Sequence, residues 1–281
     1  MRKRLLMLII PSVLPLTLFA EIISNPVEYT SGDDVLKGYL AYDNDVERQR
    51  PGVLVVHEWW GHNEYARKRA RMLAELGYTA LAVDMYGDGK TASHPKEAGK
   101  FAAAAKKNAD VSRERFMAAK KLLEAHETTN DRQIAAIGYC FGGSMVLHMA
   151  RDGLNLDGVV SFHGSLDTDR PAEKGKIRAQ ILVCHGADDP LVSADNVTAF
   201  KKEMSRAGID FTFKTYKGAT HSFTNPEANA LGKKFGLPLA YNERADKQSW
   251  IHMQDFLDDV FYPKRGGKKG SRTTSRGSGS K

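Results

Sequence analysis

A cysteine, an aspartate and a histidine follow one another along this chain, each in a glycine-containing segment typical of a tight turn. Cys140 is the centre of Gly-Tyr-Cys-Phe-Gly, Asp188 lies in Gly-Ala-Asp-Asp-Pro, and His221 lies in Gly-Ala-Thr-His-Ser-Phe. A thiol becomes a strong nucleophile when a histidine takes its proton, and a carboxylate can orient that histidine. The three residues are therefore candidates for nucleophile, orienting acid and base.

The segment around Cys140 has the pattern of a nucleophile elbow, a sharp turn between a strand and a helix. The apolar run at 133–137 predicts the strand, and residues 144–150 predict the start of the helix. Glycine is needed two positions before and after the cysteine because side chains there would collide. The amino end of the helix also offers free N–H groups to a thiolate or an oxyanion. A single motif of this kind is also compatible with a buried cysteine that has only a structural role.

Asp188 and His221 both follow predicted strands, at 181–184 and 211–216. The carboxyl ends of parallel strands meet at one edge of a sheet, so these side chains are expected near Cys140. The order nucleophile, acid, histidine is that of α/β-hydrolases. Asp189 competes as the acid, but it directly precedes a proline, which indicates a turn role.

The loop His-Glu-Trp-Trp-Gly at 57–61 follows an apolar strand predicted at 52–56, which is the position of an oxyanion loop. The backbone N–H groups of Trp59 and Phe141 are candidates for holding the oxyanion of a tetrahedral intermediate. Glu58 is unexpected there, because a carboxylate beside a thiolate raises the pKa of the thiol. The alternative for Glu58 is that it is a surface residue of the loop. A charged residue between a strand end and two tryptophans, however, indicates that it lines the wall of a site.

No cofactor and no metal are predicted. The sequence contains neither a Walker A nor a G-x-G-x-x-G fingerprint. Five histidines have spacings that match no metal-binding motif. Two cysteines are too few for a disulfide scaffold, and Cys184 in its apolar run is predicted to be structural. The five histidines are His62, His94, His148, His163 and His185.

Strands alternate with helices along most of the 281 residues. This alternation predicts one large α/β domain with a mostly parallel, doubly wound sheet flanked by helices. The expected elements beyond those named above are an antiparallel pair at 26–42 with a turn at 31–34, a strand at 78–84, a strand at 156–163, and helices at 64–76, at 95–126 with a break near Asn108, at 193–207 and at 242–261.

The net charge of +7 is concentrated at the two ends. Residues 1–20 carry three basic residues and residues 264–281 carry seven, with no acids, so the body between them has a net charge of −3. Nothing in this mildly acidic body indicates a nucleic-acid-binding face. The tail at 263–281 contains only basic, small and polar residues after its proline and is predicted to be disordered.

The amino terminus predicts a secretory signal peptide at 1–20. Three basic residues precede an apolar core that contains two prolines, and cleavage after Ala20 fits, although Leu18 is larger than usual for its position. The alternative is an uncleaved anchor, for which the run is short. We therefore expect an exported, periplasmic or secreted protein, with 21–262 as its enzyme domain and no stable membrane span after processing.

Together these motifs resemble the dienelactone hydrolase family of α/β-hydrolases over residues 24–262. The resemblance rests on the segments at 57–61, 84–87, 138–143, 186–190 and 218–223. It implies an α/β-hydrolase fold without a large cap domain. It also implies the opening of a lactone through an acyl-thiol intermediate.

The resemblance assigns Cys140 as nucleophile, His221 as base and Asp188 as its orienter. Glu58 would hold the resting thiol neutral and take its proton when substrate arrives. Trp60, Tyr86, Phe223 and Asn225 would line the substrate pocket. The tryptophans and Phe223 favour an apolar or aromatic acyl group.

The chain departs from the characterised branch of that family at two substrate-binding arginines. Asp88 and Asn225 stand at their places, and neither supplies a bidentate cationic clamp for a carboxylate. We therefore expect a small-molecule ester or lactone other than dienelactone. The alternatives are a thiol-based redox or sensor protein and a non-catalytic binding protein on the same fold. The sequence leaves the oligomeric state open.

Overall fold

A computed structural model describes residues 21–263 of the chain. The predicted signal peptide at 1–20 and the basic tail after Pro263 lie outside the described residues. In chain order the elements are β1 (Ile22–Ser31), β2 (Asp34–Asp43), β3 (Arg50–Val56), α1 (Glu64–Glu75), β4 (Thr79–Val83), α2 (Pro95–Lys107), α3 (Ala109–Ala125), β5 (Thr129–Tyr139), α4 (Phe141–Arg151), β6 (Gly158–Phe162), β7 (Gln180–Gly186), α5 (Ala194–Ala207), β8 (Phe211–Tyr216), α6 (Ala228–Phe235) and α7 (Glu243–Phe261).

The strands form an eight-stranded sheet in the order β1-β2-β4-β3-β5-β6-β7-β8. The strands from β4 to β8 run parallel, and the β1–β2 hairpin pairs antiparallel to β4 at one edge. β3, β4 and β6 are buried at every position, as expected for parallel strands covered on both faces. The predicted mostly parallel, doubly wound sheet is confirmed.

Helices cover both faces of the sheet. On one face Phe116 of α3, Met145 of α4 and Phe200 of α5 pack in one apolar core. On the other face Leu73 of α1 and Leu257 of α7 pack in a second core. The segment between β8 and α7 contains only the eight-residue α6, so no large cap domain covers the carboxyl edge of the sheet.

Two predicted helix boundaries have clear local causes. Ser193 caps α5 through a reciprocal pair of hydrogen bonds with Asn196, and Gly208 ends the helix with a φ of 72°. Asn108 separates α2 from α3, at the predicted break.

Within residues 21–263, none of the helices combines the length and the apolar character that a membrane crossing needs.

Candidate active site

Cys140 occupies the sharp turn between β5 and α4. Its φ of +53° is in the region that side chains rarely adopt. A Cβ atom at Gly138 would lie 2.1 Å from the carbonyl oxygen of Gly142, and one at Gly142 would lie 2.2 Å from the carbonyl oxygen of Val56. The predicted elbow and the need for both glycines are therefore borne out by the geometry.

His221 lies between the thiol and a carboxylate. Its Nε2 atom is 3.1 Å from Cys140 Sγ, and its Nδ1 atom is 2.9 Å from Asp189 Oδ2. All three residues follow parallel strands at the carboxyl edge of the sheet, after β5, β7 and β8. The arrangement can move a proton between the thiol and a bound substrate.

The prediction of Asp188 as the orienting acid is wrong. The side chain of Asp188 is exposed, and its backbone N–H donates to the carbonyl oxygen of Ala219. Asp189 is buried, and its Oδ1 atom accepts a hydrogen bond from the N–H of Leu191 at 2.9 Å. The turn role expected for Asp189 thus uses one carboxylate oxygen and leaves the other for His221.

Two opposing effects act on the pKa of His221. Burial lowers it, but the negative charge of Cys140 and the hydrogen bond with Asp189 outweigh burial and raise the pKa of His221 to about 10. The site therefore favours a protonated, positively charged imidazole on His221, 3.1 Å from the sulfur of Cys140.

Glu58 does not contact the thiol in this structure, contrary to the predicted role. Its two carboxylate oxygens accept hydrogen bonds from Ser222 Oγ at 2.8 Å and Asn225 Nδ2 at 2.7 Å, while Cys140 faces His221. Burial raises the pKa of Glu58, and these two hydrogen bonds offset part of that rise. Glu58 therefore joins the loop after β3 to the loop that carries His221.

His163 is a residue of the site that the sequence reasoning missed. It follows β6 with a φ of +41°, and its Nδ1 atom accepts a hydrogen bond from the N–H of Cys140 at 3.1 Å. Its Nε2 atom is 2.7 Å from Thr224 Oγ1. Burial holds the pKa of His163 well below its usual range, so the ring stays neutral with its proton on Nε2. The sequence signal that could have identified His163 as a site residue is its position at the end of a predicted strand.

A buried polar network continues from His163 to the carboxyl-terminal helix. Thr224 Oγ1 is 2.6 Å from the hydroxyl of Tyr65, and the backbone oxygen of Thr224 accepts a hydrogen bond from Arg69 at 2.7 Å. Arg69 also forms an ion pair of 2.6 Å with Asp246 on α7. The backbone of Cys140 is therefore linked to side chains of α1, of the loops after β6 and β8, and of α7.

A cavity of about 490 Å³ opens beside Cys140. Most of its wall is apolar, and it also contains an ion pair in which Lys106 Nζ lies 3.5 Å from Asp167 Oδ2. The other lining residues are Trp59, Ala102, Ala103, Phe141, Ser144, Met145, His148, Ser165, Leu191, Val192, His221, Leu237, Pro238 and Leu239.

None of the four predicted pocket residues lines this cavity. Phe223 is fully buried against His163, and Asn225 is bound to Glu58. The other two predicted pocket residues, Tyr86 and Trp60, pack behind residues that line the cavity. Tyr86 packs against the ring of Phe141 and donates a hydrogen bond to the backbone of Trp59, and Trp60 packs against Trp59 and Phe235.

The two candidate oxyanion donors, Trp59 and Phe141, do line the cavity beside Cys140. Phe141 is the first residue of α4, where backbone N–H groups have no acceptor within the helix. Between residues 21 and 263, no hydrogen bond from either of these N–H groups is found. In the same part of the chain, no three side chains of His, Cys, Asp or Glu form a group suited to a metal ion.

His62, at the end of the loop after β3, is expected to make the fold sensitive to acid. Burial lowers its pKa to about 4, and its Nδ1 atom has no hydrogen-bond partner among the described residues. Below pH 6.5 the unfolded chain binds a proton at this ring that the folded chain does not. Stability is therefore lost as the pH falls from about 6.5 to about 4, by up to about 3 kcal/mol from this residue.

The measurement is urea unfolding at pH 7 and pH 4.5 for the wild type and for His62→Gln, whose amide nitrogen can keep the hydrogen bond to Ala82. The variant is expected to lose about 2 kcal/mol less than the wild type between the two pH values. Equal losses in both proteins would show that His62 is not the residue responsible.

A strained cysteine elbow at the carboxyl edge of a mostly parallel sheet, with its histidine and carboxylate after later strands, defines an α/β-hydrolase. The sequence model of the dienelactone hydrolase family matches residues 36–261. The chain belongs to this family and is a hydrolase, which confirms the resemblance.

Relatives agree with this assignment. The chain is 35% identical to a dienelactone hydrolase-like promiscuous phosphotriesterase from metagenomic libraries, with a TM-score of 0.79 over 86% of this chain and 99% of that one. It is 37% identical to the solved protein m3DLH, with a TM-score of 0.80 over 85% and 99% of the two chains. Protein usf of Aquifex pyrophilus is 29% identical over 71% of this chain and 86% of its own length.

Proposed function

We propose that this hydrolase cleaves an uncharged carboxylic ester or lactone through Cys140, with His221 as proton carrier and Asp189 as its orienter. The observation that carries the proposal is the position of His221, within hydrogen-bond distance of both Cys140 Sγ and Asp189 Oδ2. The strained elbow and the cavity beside it support the same function.

The proposed first half-reaction forms an acyl-thiol. The Cys140 thiolate attacks the carbonyl carbon, and the N–H groups of Trp59 and Phe141 stabilise the resulting oxyanion. The tetrahedral intermediate collapses with cleavage of the carbon–oxygen ester bond, and protonated His221 gives its proton to the leaving oxygen.

The second half-reaction restores the enzyme. Neutral His221 takes a proton from water as that water attacks the thioester carbonyl. The carbon–sulfur bond then breaks, the acid departs, and Cys140 leaves as a thiolate beside protonated His221. The hydrogen bond with Asp189 keeps the Nε2 atom of His221 directed at the sulfur of Cys140 throughout both half-reactions.

The charges around the cavity favour an uncharged substrate. Lys106 is the only lysine or arginine among the cavity-lining residues of the described chain, and Asp167 faces it. Asp88 is exposed and forms an ion pair of 2.6 Å with Lys37, and Asn225 is bound to Glu58. Neither residue supplies the positive charge that a substrate carboxylate needs.

A neutral phosphotriester is the second candidate substrate. The mostly apolar wall of the cavity fits such a molecule, and a related protein of known structure is described as a promiscuous phosphotriesterase. In this reaction the thiolate would attack phosphorus and His221 would again protonate the leaving oxygen.

The test is hydrolysis by the full-length chain of a p-nitrophenyl ester panel, dienelactone and a p-nitrophenyl phosphotriester. Cys140→Ala is expected to reduce ester turnover by at least about 10³-fold, because the acyl intermediate of the proposed mechanism forms on the sulfur of Cys140. Cys184→Ala is the matched control, since this second free thiol is buried in β7.

Turnover of esters that disappears in Cys140→Ala and persists in Cys184→Ala supports the proposal. Efficient dienelactone hydrolysis would contradict the expectation of an uncharged substrate. No Cys140-dependent hydrolysis of any substrate would overturn the proposed function and favour the redox or binding alternatives.

A further inference from the structure

The cavity beside Cys140 extends along one helix. Cys140, Ser144 and His148 all line it, and they stand at successive turns of the segment that forms α4. An α-helix advances about 1.5 Å per residue, so the eight steps from Cys140 to His148 span about 12 Å. The cavity is therefore longer than a small acyl group such as acetyl requires.

The two sides of this cavity come from separate parts of the chain. α2 contributes Ala102, Ala103 and Lys106 at helical spacing, and the segment after β6 contributes Ser165 and Asp167. The Lys106–Asp167 ion pair joins the two sides at 3.5 Å. Burial has the largest effect in lowering the pKa of His148, and Lys106 is close enough for its charge to lower that pKa further, which places the ion pair toward the His148 end of α4.

The intermediate portion of the cavity is apolar or small. Met145, Ala102 and Val192 all line the cavity and offer no charge to a ligand. An extended hydrocarbon chain advances about 1.3 Å per carbon, so a 12 Å cavity accommodates about nine carbons. Burial of such a chain is favourable at every methylene.

We propose that this cavity is an acyl-chain trough that selects esters of medium-length, unbranched acyl groups of about eight to ten carbons. The inference rests on the proposed function and names its substrate class. The chain occupies the acyl side of the ester because His221 must face the leaving oxygen, whereas the trough runs along α4 from Cys140 toward His148. The Lys106–Asp167 pair marks the end of the trough.

The experiment compares two ester series on the full-length protein. p-Nitrophenyl esters vary the acyl chain from two to sixteen carbons, and alkyl acetates vary the alcohol chain over the same range. We expect kcat/KM to rise by up to about fourfold per methylene in the acyl series, to peak near eight to ten carbons and then to fall. The alkyl acetates are expected to show no such peak.

Two variants test the walls of the trough. Ala102→Phe is expected to lower kcat/KM for the octanoate at least tenfold and to change that for the acetate less than threefold. Its matched control is Ala104→Phe on the same helix, since Ala104 is exposed and does not line the cavity. Lys106→Ala opens the far end and is expected to move the optimum to longer acyl chains.

The outcomes separate the two proposals. Cys140-dependent turnover with a flat acyl-length profile, or with equal effects of Ala102→Phe on all lengths, would overturn the trough and leave the proposed function intact. A length optimum in the alcohol series instead would assign the cavity to the leaving group and also overturn the inference. Absence of Cys140-dependent turnover of any ester would overturn both.

Discussion

Replacement of Asp189 by asparagine is expected to lower kcat/KM for ester hydrolysis by about 10²- to 10⁴-fold. Asp189 Oδ2 accepts a hydrogen bond from the Nδ1–H group of His221 at 2.9 Å, which directs the Nε2 atom at Cys140. An asparagine amide can present its N–H₂ group to Nδ1 and favour the other tautomer. It also removes the negative charge that stabilises the imidazolium.

The asparagine keeps an oxygen that can accept the hydrogen bond from Leu191, so the turn itself is retained. The measurement is kcat/KM for one p-nitrophenyl ester, together with the urea midpoint as a check on folding. Asp188→Asn is the matched control, one position earlier and exposed, and is expected to stay within threefold of the wild type. A larger loss in Asp188→Asn than in Asp189→Asn would contradict the assignment.

Gly142→Ala is expected to destabilise the fold by at least about 3 kcal/mol, or to prevent folding. The added Cβ would lie 2.2 Å from the carbonyl oxygen of Val56 and 2.7 Å from that of His57, both backbone atoms at the end of β3. Relief would require α4 to move away from the sheet and would break the hydrogen bond from the Gly142 N–H to His57.

Gly99→Ala is the matched control, because Gly99 lies inside α2 and no atom would come within 4 Å of its added Cβ. This variant is expected to be more stable by about 0.5–1 kcal/mol, since alanine is the better helix former. The measurement is thermal unfolding, in which Gly142→Ala should lower Tm by about 10 °C. A Tm for Gly142→Ala within a few degrees of the wild type would show that the elbow has room to relax.

The elbow was predictable because its constraints are local. The strand, the two glycines around Cys140 and the helix start lie within a few residues, and the strained turn requires all of them. The choice between Asp188 and Asp189 was not predictable in the same way. Adjacent residues of a loop point in different directions, and the loop's own hydrogen bonds decide which carboxylate faces His221.

The pocket was beyond prediction for a different reason. Tyr86 and Phe223 are close to catalytic motifs in sequence, but large aromatic side chains there are buried as packing behind the site. Part of the cavity wall comes instead from α2 and from the segment 237–239, which carry no catalytic motif. Whether α2 and the segment 237–239 lie next to each other depends on how whole helices pack on the sheet, and no short sequence pattern predicts that packing.

The network from His163 to Asp246 determines at which stage of its synthesis a new chain can position the sulfur of Cys140. Cys140 and the elbow leave the ribosome first, whereas Thr224 and Asp246, which complete the hydrogen bonds behind it, are synthesised last. Until the loop after β8 is in place, His163 lacks Thr224, and until α7 docks, Arg69 lacks the carboxylate of Asp246. In a growing chain the proposed nucleophile is therefore not yet assembled, and its hydrogen-bond network is complete only after α7 has been synthesised and has docked.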